Sequence, residues 1–263
     1  MSTKRAARGP AKLAIVHDTE ERQTSTRTQT TNALRLKIDH LKTFTPLTDN
    51  QKLFYDAYKR GDYFMALHGV AGTGKTFIAV YKALEEVLDR NNPFNKIIIV
   101  RSAVQSREMG HLPGDIDEKL DIYQQPYRQI CHTLFDRKDA YDRLAEQGHI
   151  EFISTSFIRG MSFDDAIIIV DEMQNCNYSE LQTVITRVGY RSKIIWCGDY
   201  RQTDLIKNKA DTSGIRKFLE IAASMPCHTR IEFGVEDIVR SSLVRDWIIA
   251  EANYNDKIDC IKS

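Results

Sequence analysis

No stretch of this chain comes near the roughly 18 consecutive apolar residues that a transmembrane helix needs. The opening residues Met1-Ser2-Thr3-Lys4-Arg5 carry positive charge with no apolar segment behind them, and no secretory leader is expected. Cysteine is sparse: Cys131, Cys176, Cys197, Cys227 and Cys260 are odd in number and form no CxxC pair. That argues against a disulfide framework or a zinc site and fits a reducing cytoplasm. His68, His111, His132 and His149 lack metal-ligand spacing and read as structural. Net charge is lacking too, with 37 Lys/Arg against 36 Asp/Glu, but the balance hides an asymmetry. Residues 1–47 hold nine basic and four acidic side chains, so a basic arm precedes a slightly acidic body. Such an arm can attract phosphate backbones or can simply solubilise the chain.

What is present is enough for a real core: 42% of the 263 residues are hydrophobic. Residues 1–43 are polar and nearly low-complexity through Thr24-Ser25-Thr26-Arg27-Thr28-Gln29-Thr30-Thr31, and are expected to form a flexible N-terminal arm. Residues 44–263 read as a single α/β domain, with order beginning near Phe44. Thr48 or Asp49 caps a helix bearing Leu53, Phe54, Ala57 and Tyr58 at helical spacing. A buried strand over 63–68 runs into a glycine-rich turn. Phe77, Val80, Tyr81, Leu84, Val87 and Leu88 mark an amphipathic helix, stopped by Asn91-Asn92-Pro93. Lys96-Ile97-Ile98-Ile99-Val100 has the β-branched content of an interior parallel strand. Further along, the pattern predicts helical residues over 115–143, strands over 149–153, 166–170 and 193–197, a helix through Leu181, Val184, Ile185 and Val188, and a final helix over 235–250. Strands that alternate with helices and are apolar throughout mean a mainly parallel sheet covered on both faces. There is no internal repeat and no second large domain.

Gly69-Val70-Ala71-Gly72-Thr73-Gly74-Lys75-Thr76 fits the G-x-x-x-x-G-K-[ST] phosphate loop, between a strand and a helix as its mechanism requires. Glycines let backbone N–H groups turn inward onto phosphate oxygens, and the helix N-terminus adds its dipole. Lys75 reaches the β- and γ-phosphates and Thr76 offers its hydroxyl to Mg²⁺. The expected nucleotide contacts are therefore Gly69, Ala71, Gly72, Thr73, Gly74, Lys75, Thr76 and Phe77. Ile167-Ile168-Ile169-Val170-Asp171-Glu172 is an apolar strand ending in two acids. At a strand's C-terminal end Asp171 can hold the magnesium and Glu172 can orient and deprotonate an attacking water. Gly198-Asp199-Tyr200-Arg201-Gln202 closes the next strand, where Gln202 suits a sensor of the γ-phosphate; Asp199 either faces the site or caps the following turn. Gln51, ahead of the first strand, can read an adenine edge or belong only to a helix cap.

With these residues in order, the sequence resembles the PhoH family of phosphate-starvation-type ATPases. The match also takes in Arg101-Ser102-Ala103-Val104, Leu112-Pro113-Gly114-Asp115, Arg159-Gly160, Asp171-Glu172-Met173-Gln174-Asn175, Thr186-Arg187-Val188-Gly189 and Glu236-Asp237-Ile238-Val239-Arg240. It departs at Ser102, Met173 and Ser241, where the family favours proline, alanine and histidine. The resemblance implies a RecA-like P-loop core close to superfamily 1 helicases, ATP and Mg²⁺ as ligands, and a cytoplasmic location away from membranes. It further implies single-stranded nucleic acid as partner, RNA ahead of DNA, and a homo-oligomeric ring, a hexamer. The region before residue 45 is too short and polar for the PIN nuclease of some relatives, so ribonuclease activity is not expected.

Expected function follows as Mg²⁺-dependent ATP hydrolysis coupled to translocation on, or remodelling of, a single strand. A nucleotide-gated interaction module with slow, strand-independent hydrolysis is the alternative. Arg101, Ser102, Thr155 and Arg159, at or after strand ends, are the candidate phosphate-backbone contacts, unless Arg101 pairs with a nearby acid. Arg187 and Arg240 are alternative arginines to complete a neighbouring subunit's site.

Overall fold

The computed structural model describes residues 35–89, 91–102, 116–199 and 209–262. Among them, six strands form one sheet: β1 (Phe64–Gly69), β2 (Lys96–Arg101), β3 (Ile150–Ser154), β4 (Ala166–Val170), β5 (Lys193–Gly198) and β6 (His228–Phe233). Their order is β3-β2-β4-β5-β1-β6 and every neighbouring pair is parallel. Seven helices connect or flank them: α1 (Asp49–Arg60), α2 (Lys75–Leu88), α3 (Ile116–Phe135), α4 (Ala140–Glu146), α5 (Tyr178–Ile185), α6 (Lys209–Ala223) and α7 (Ser242–Lys262). The α/β class and the two-sided parallel sheet are those the sequence predicts.

Side chains alternate across each strand, so one strand feeds two cores. From β4, Ile167 and Ile169 join Met65, Leu67 and Ile97 under α1 to α4, in a cluster that includes Phe54, Leu84, Tyr127 and Leu144. Ala166, Ile168 and Val170 point the other way, into Phe64, Trp196, Leu181 and Phe218 beneath α5 and α6. Central strands buried on both faces explain the unbroken Ile/Val runs in the sequence. No helix among the described residues is long and apolar enough to cross a membrane.

The structure differs from, or adds to, the sequence pattern at four points. Leu36 is buried in the first cluster and the Lys42 N–H donates to the Leu134 carbonyl at 2.9 Å, so the folded body starts ahead of Phe44. The helical residues expected over 115–143 fall in two helices, α3 and α4, separated where Asp136 takes φ 56°. Helix α6 and strand β6 carry no prediction at all; β6 reads His-Thr-Arg-Ile-Glu-Phe, and only Ile231 and Phe233 are buried on this edge strand. The last helix begins at Ser242 rather than 235, because Val239 gives its N–H to the Gly72 carbonyl at 3.1 Å instead of to a helical turn.

Candidate functional site

The phosphate loop leaves the end of β1, a strand buried at every position between β5 and β6. Its start is pinned from the edge strand: the Val70 N–H donates to the Phe233 carbonyl at 3.0 Å. Gly69, at φ +123°, lies so close that a Cβ there would sit 2.1 Å from the same oxygen. Farther along, the Thr73 hydroxyl donates to the Val70 carbonyl at 3.0 Å and closes the loop on itself. The Lys75 ammonium donates into this cup, to the carbonyls of Gly69 at 3.0 Å and Val70 at 2.7 Å and to Thr73 Oγ1 at 3.1 Å. Burial pushes the Lys75 pKa down, and the carboxylate of Asp199 is the leading charge that opposes the shift. Ala71 sits half-buried in the turn. Gly74, left-handed at φ 79°, is the residue from which α2 starts. Phe77 packs edge-on against Phe44 with ring centroids 5.1 Å apart.

Gln51 is 3% exposed and both ends of its amide are engaged. Its Nε2 donates to the Thr73 carbonyl at 3.0 Å, while its Oε1 accepts the Leu47 N–H at 2.8 Å. These bonds brace the loop from α1. Arg240, which the pattern places early in the last helix, lies against the loop of its own chain. A Cβ built on Gly72 would come within 3.1 Å of Arg240 Cγ and 3.5 Å of Ile248 Cδ1.

Asp171 follows β4, two strands away from β1, and reaches the loop through α2. Thr76 Oγ1 donates to Asp171 Oδ1 at 2.7 Å, and the hydroxyl of Tyr127, from α3, donates to Oδ2 at 2.8 Å. A hydroxyl and a carboxylate in contact at the base of a phosphate loop are the hard oxygen donors Mg²⁺ prefers. The described residues hold no group of three or more His, Cys, Asp or Glu that could bind a metal. Burial, with the Asp171 charge behind it, holds the Tyr127 phenol well above its ordinary pKa, so it acts as a neutral donor.

Glu172 takes a left-handed conformation, φ 52° and ψ 45°, that turns its side chain off the line of the strand. Its pKa is raised, first by burial and then by the neighbouring Asp171 charge. Gln174 Nε2 donates to Glu172 Oε2, and Gln174 Oε1 accepts the Asp199 N–H at 3.0 Å. One buried amide therefore ties the acid after β4 to the turn after β5. Gln202 lies outside the described residues.

Arg101 ends β2 with its guanidinium over the Tyr123 ring, 5.6 Å from the centroid. Its charge counteracts the upward shift of Glu172, so it belongs to the acids' neighbourhood. The hydroxyls expected beside it turn inward. Ser102 Oγ and Thr155 Oγ1 both donate to Glu180 Oε1, at 3.0 and 2.5 Å, and both residues are buried. Glu180 also caps α5 through the Asn177 N–H at 2.9 Å. Arg159 is exposed. Arg187 does not join the cluster: its carbonyl accepts the Phe163 N–H at 2.9 Å, at the sheet edge where β4 and β5 begin, opposite the loop.

Two participants escaped sequence reasoning. Tyr127 falls on the apolar face of a helix and reads as core. Gln174 lies two residues beyond Glu172, inside the acidic motif, and that placement was the available signal.

Comparison with known proteins finds relatives over most of the chain. A profile of the family described as PhoH-like protein matches residues 43–252. The chain is 37% identical over 209 residues to the PhoH-like protein of Bacillus subtilis (strain 168), covering 79% of this chain and 64% of that one. It is 33% identical over 216 residues to the PhoH-like protein of Mycobacterium tuberculosis (strain ATCC 25618 / H37Rv), covering 82% and 60%. With Protein PhoH of Escherichia coli (strain K12) the identity is 34% over 177 residues, 66% of this chain and 49% of that protein. The alignments thus span about half to two thirds of the relatives' own length. The profile match over most of the chain and the identity with these relatives make this chain a member of the PhoH family, with a parallel-sheet P-loop core of the nucleotide-binding kind.

Proposed function

We propose that the chain is a Mg²⁺-dependent ATP hydrolase that couples turnover to single-stranded nucleic acid, RNA ahead of DNA, within a homo-oligomeric ring. One observation carries the hydrolytic part: Glu172, raised in pKa, stands beside the Thr76–Asp171 pair at the mouth of a loop that already encloses the Lys75 cation. The loop's N–H groups and Lys75 hold the phosphates, and Thr76 and Asp171 hold the cation. Magnesium, when bound, offsets charge that builds on the phosphate oxygens. Glu172 accepts a proton from the attacking water, and a pKa moved toward neutrality suits a base at working pH. Gln174 keeps that carboxylate aimed and passes its position to the turn at Asp199.

The nucleic-acid part rests on the family and on Arg101 and Arg159; the inward-turned Ser102 and Thr155 hydroxyls no longer support it. A trans arginine, if the ring uses one, falls to Arg187, since Arg240 lies against its own loop. That placement of Arg240 and Ile248 also favours the second reading, a nucleotide-gated module, because α7 would feel the loop's occupancy. Phosphate release measured with increasing single-stranded RNA or DNA separates the two, with Lys75→Ala as the inactive blank. A rate that climbs with strand concentration supports coupling, and a flat rate leaves the gated module. In anisotropy titrations across salt, Arg101→Ala with Arg159→Ala is expected to weaken strand binding and lower the salt slope by about two. An unchanged slope would take both residues out of the interface.

A further inference from the structure

The Asp171 carboxylate is held by two hydroxyls, but they are not equivalent. Thr76 sits in the first turn of α2 and, when its oxygen coordinates a cation, reorients its hydroxyl. Tyr127 has no such second task. It is 0% exposed, its ring packs 5.9 Å from Phe152, and its hydroxyl meets Asp171 Oδ2 at 2.8 Å. Asp171 itself is 6% exposed, leaving little room for water to replace the phenol. The χ2 torsion of an aspartate is broad and roughly twofold, so a carboxylate with one fixed oxygen is oriented and one without can swing. Outer hydrogen bonds of this kind orient metal ligands and tune their affinity.

We propose that Tyr127 is a positioning residue for the divalent cation, fixing the plane of the Asp171 carboxylate from helix α3 while Thr76 is free to coordinate. This rests on the reading of Thr76 and Asp171 as the cation's ligands. The same helix face carries Tyr123, one turn earlier, against Arg101. The orientation of the carboxylate is therefore set by α3, the helix that also holds the strand-end arginine, and not by the phosphate loop alone.

Tyr127→Phe removes the hydroxyl and keeps the ring. Mn²⁺ binding to the ADP-bound full chain, followed by electron paramagnetic resonance, is expected to weaken by about tenfold or more in this variant, the range seen when a ligand's outer partner is lost. Tyr127→Leu, which also removes the ring, is expected to show a similar loss of Mn²⁺ affinity and a larger fall in melting temperature. Asp171→Asn serves as the reference for losing the ligand itself. Wild-type Mn²⁺ affinity in Tyr127→Phe, with affinity lost in Asp171→Asn, overturns the positioning role and leaves the cation site standing. Affinity that follows melting temperature across the two Tyr127 variants, with little change in Phe and a large one in Leu, overturns it as well. Unchanged binding in Asp171→Asn would overturn the site reading and this inference together.

Discussion

Glu172→Gln is expected to bind ATP about as well as the wild type and to turn it over at least about a hundredfold more slowly, the scale of general-base catalysis. An amide of the same shape can still contact Gln174, so the geometry survives while the proton acceptor is lost. Stability should move the other way. The Glu172 pKa is raised in the folded chain, so folding favours the protonated form, and the ionised form destabilises the native state above both its folded and unfolded pKa values. That penalty fades as pH falls through the raised pKa. Glutamine carries no such penalty, so the variant should melt higher than wild type at neutral pH, with the gap closing in acid. The rate of the wild type should fall along an acid limb above the ordinary glutamate range. Single-turnover kinetics and melting curves across pH read both effects; wild-type turnover in Glu172→Gln would remove that residue from the mechanism.

Gly69→Ala is expected to lose most of its folding stability, more than about 4 kcal/mol, the exceptional size that overpacking and strain at a special φ/ψ can reach. The added Cβ would lie 2.1 Å from the Phe233 oxygen, 2.8 Å from its nitrogen and 2.9 Å from its carbonyl carbon, all main-chain atoms of β6. No rotamer relieves such a contact, and φ +123° is itself unfavourable for an L side chain. Gly61→Ala provides the comparison. At φ +83° it has nothing within 4 Å, so only the left-handed penalty of about 1–2 kcal/mol applies. Denaturant unfolding of both separates close approach from conformation, and a Gly69→Ala chain as stable as Gly61→Ala would mean β6 yields freely.

Much of the fold was legible because local pattern and tertiary role coincide there. Central strands buried on both faces must be apolar throughout, so β1, β2, β4 and β5 announce themselves, and the phosphate loop needs its glycines in sequence. Legibility fails where a tertiary contact decides the outcome. Strand β6 alternates charged and apolar residues because one side and one edge meet solvent. Residues 238–241 could continue a helix by composition, yet Val239 bonds the loop instead. Within the site, residue types were readable and partners were not. Nothing local says that the Gln51 amide points at Thr73, that Ser102 and Thr155 share Glu180, or that a core tyrosine ends on Asp171.

The position of β1 has a consequence for how the molecule comes to exist. The strand that carries the phosphate loop is made early, yet Phe64 aligns with Ile194 on one side and with His228 on the other. Both neighbours emerge from the ribosome only after β2, β3 and β4, and they must close long chain loops to reach it. Until then β1 and its glycines wait as an exposed apolar segment of the kind that chaperones and aggregation compete for. The phosphate loop's pocket is thus among the last parts of the protein to be assembled, and nucleotide can reward only a chain that has nearly finished folding.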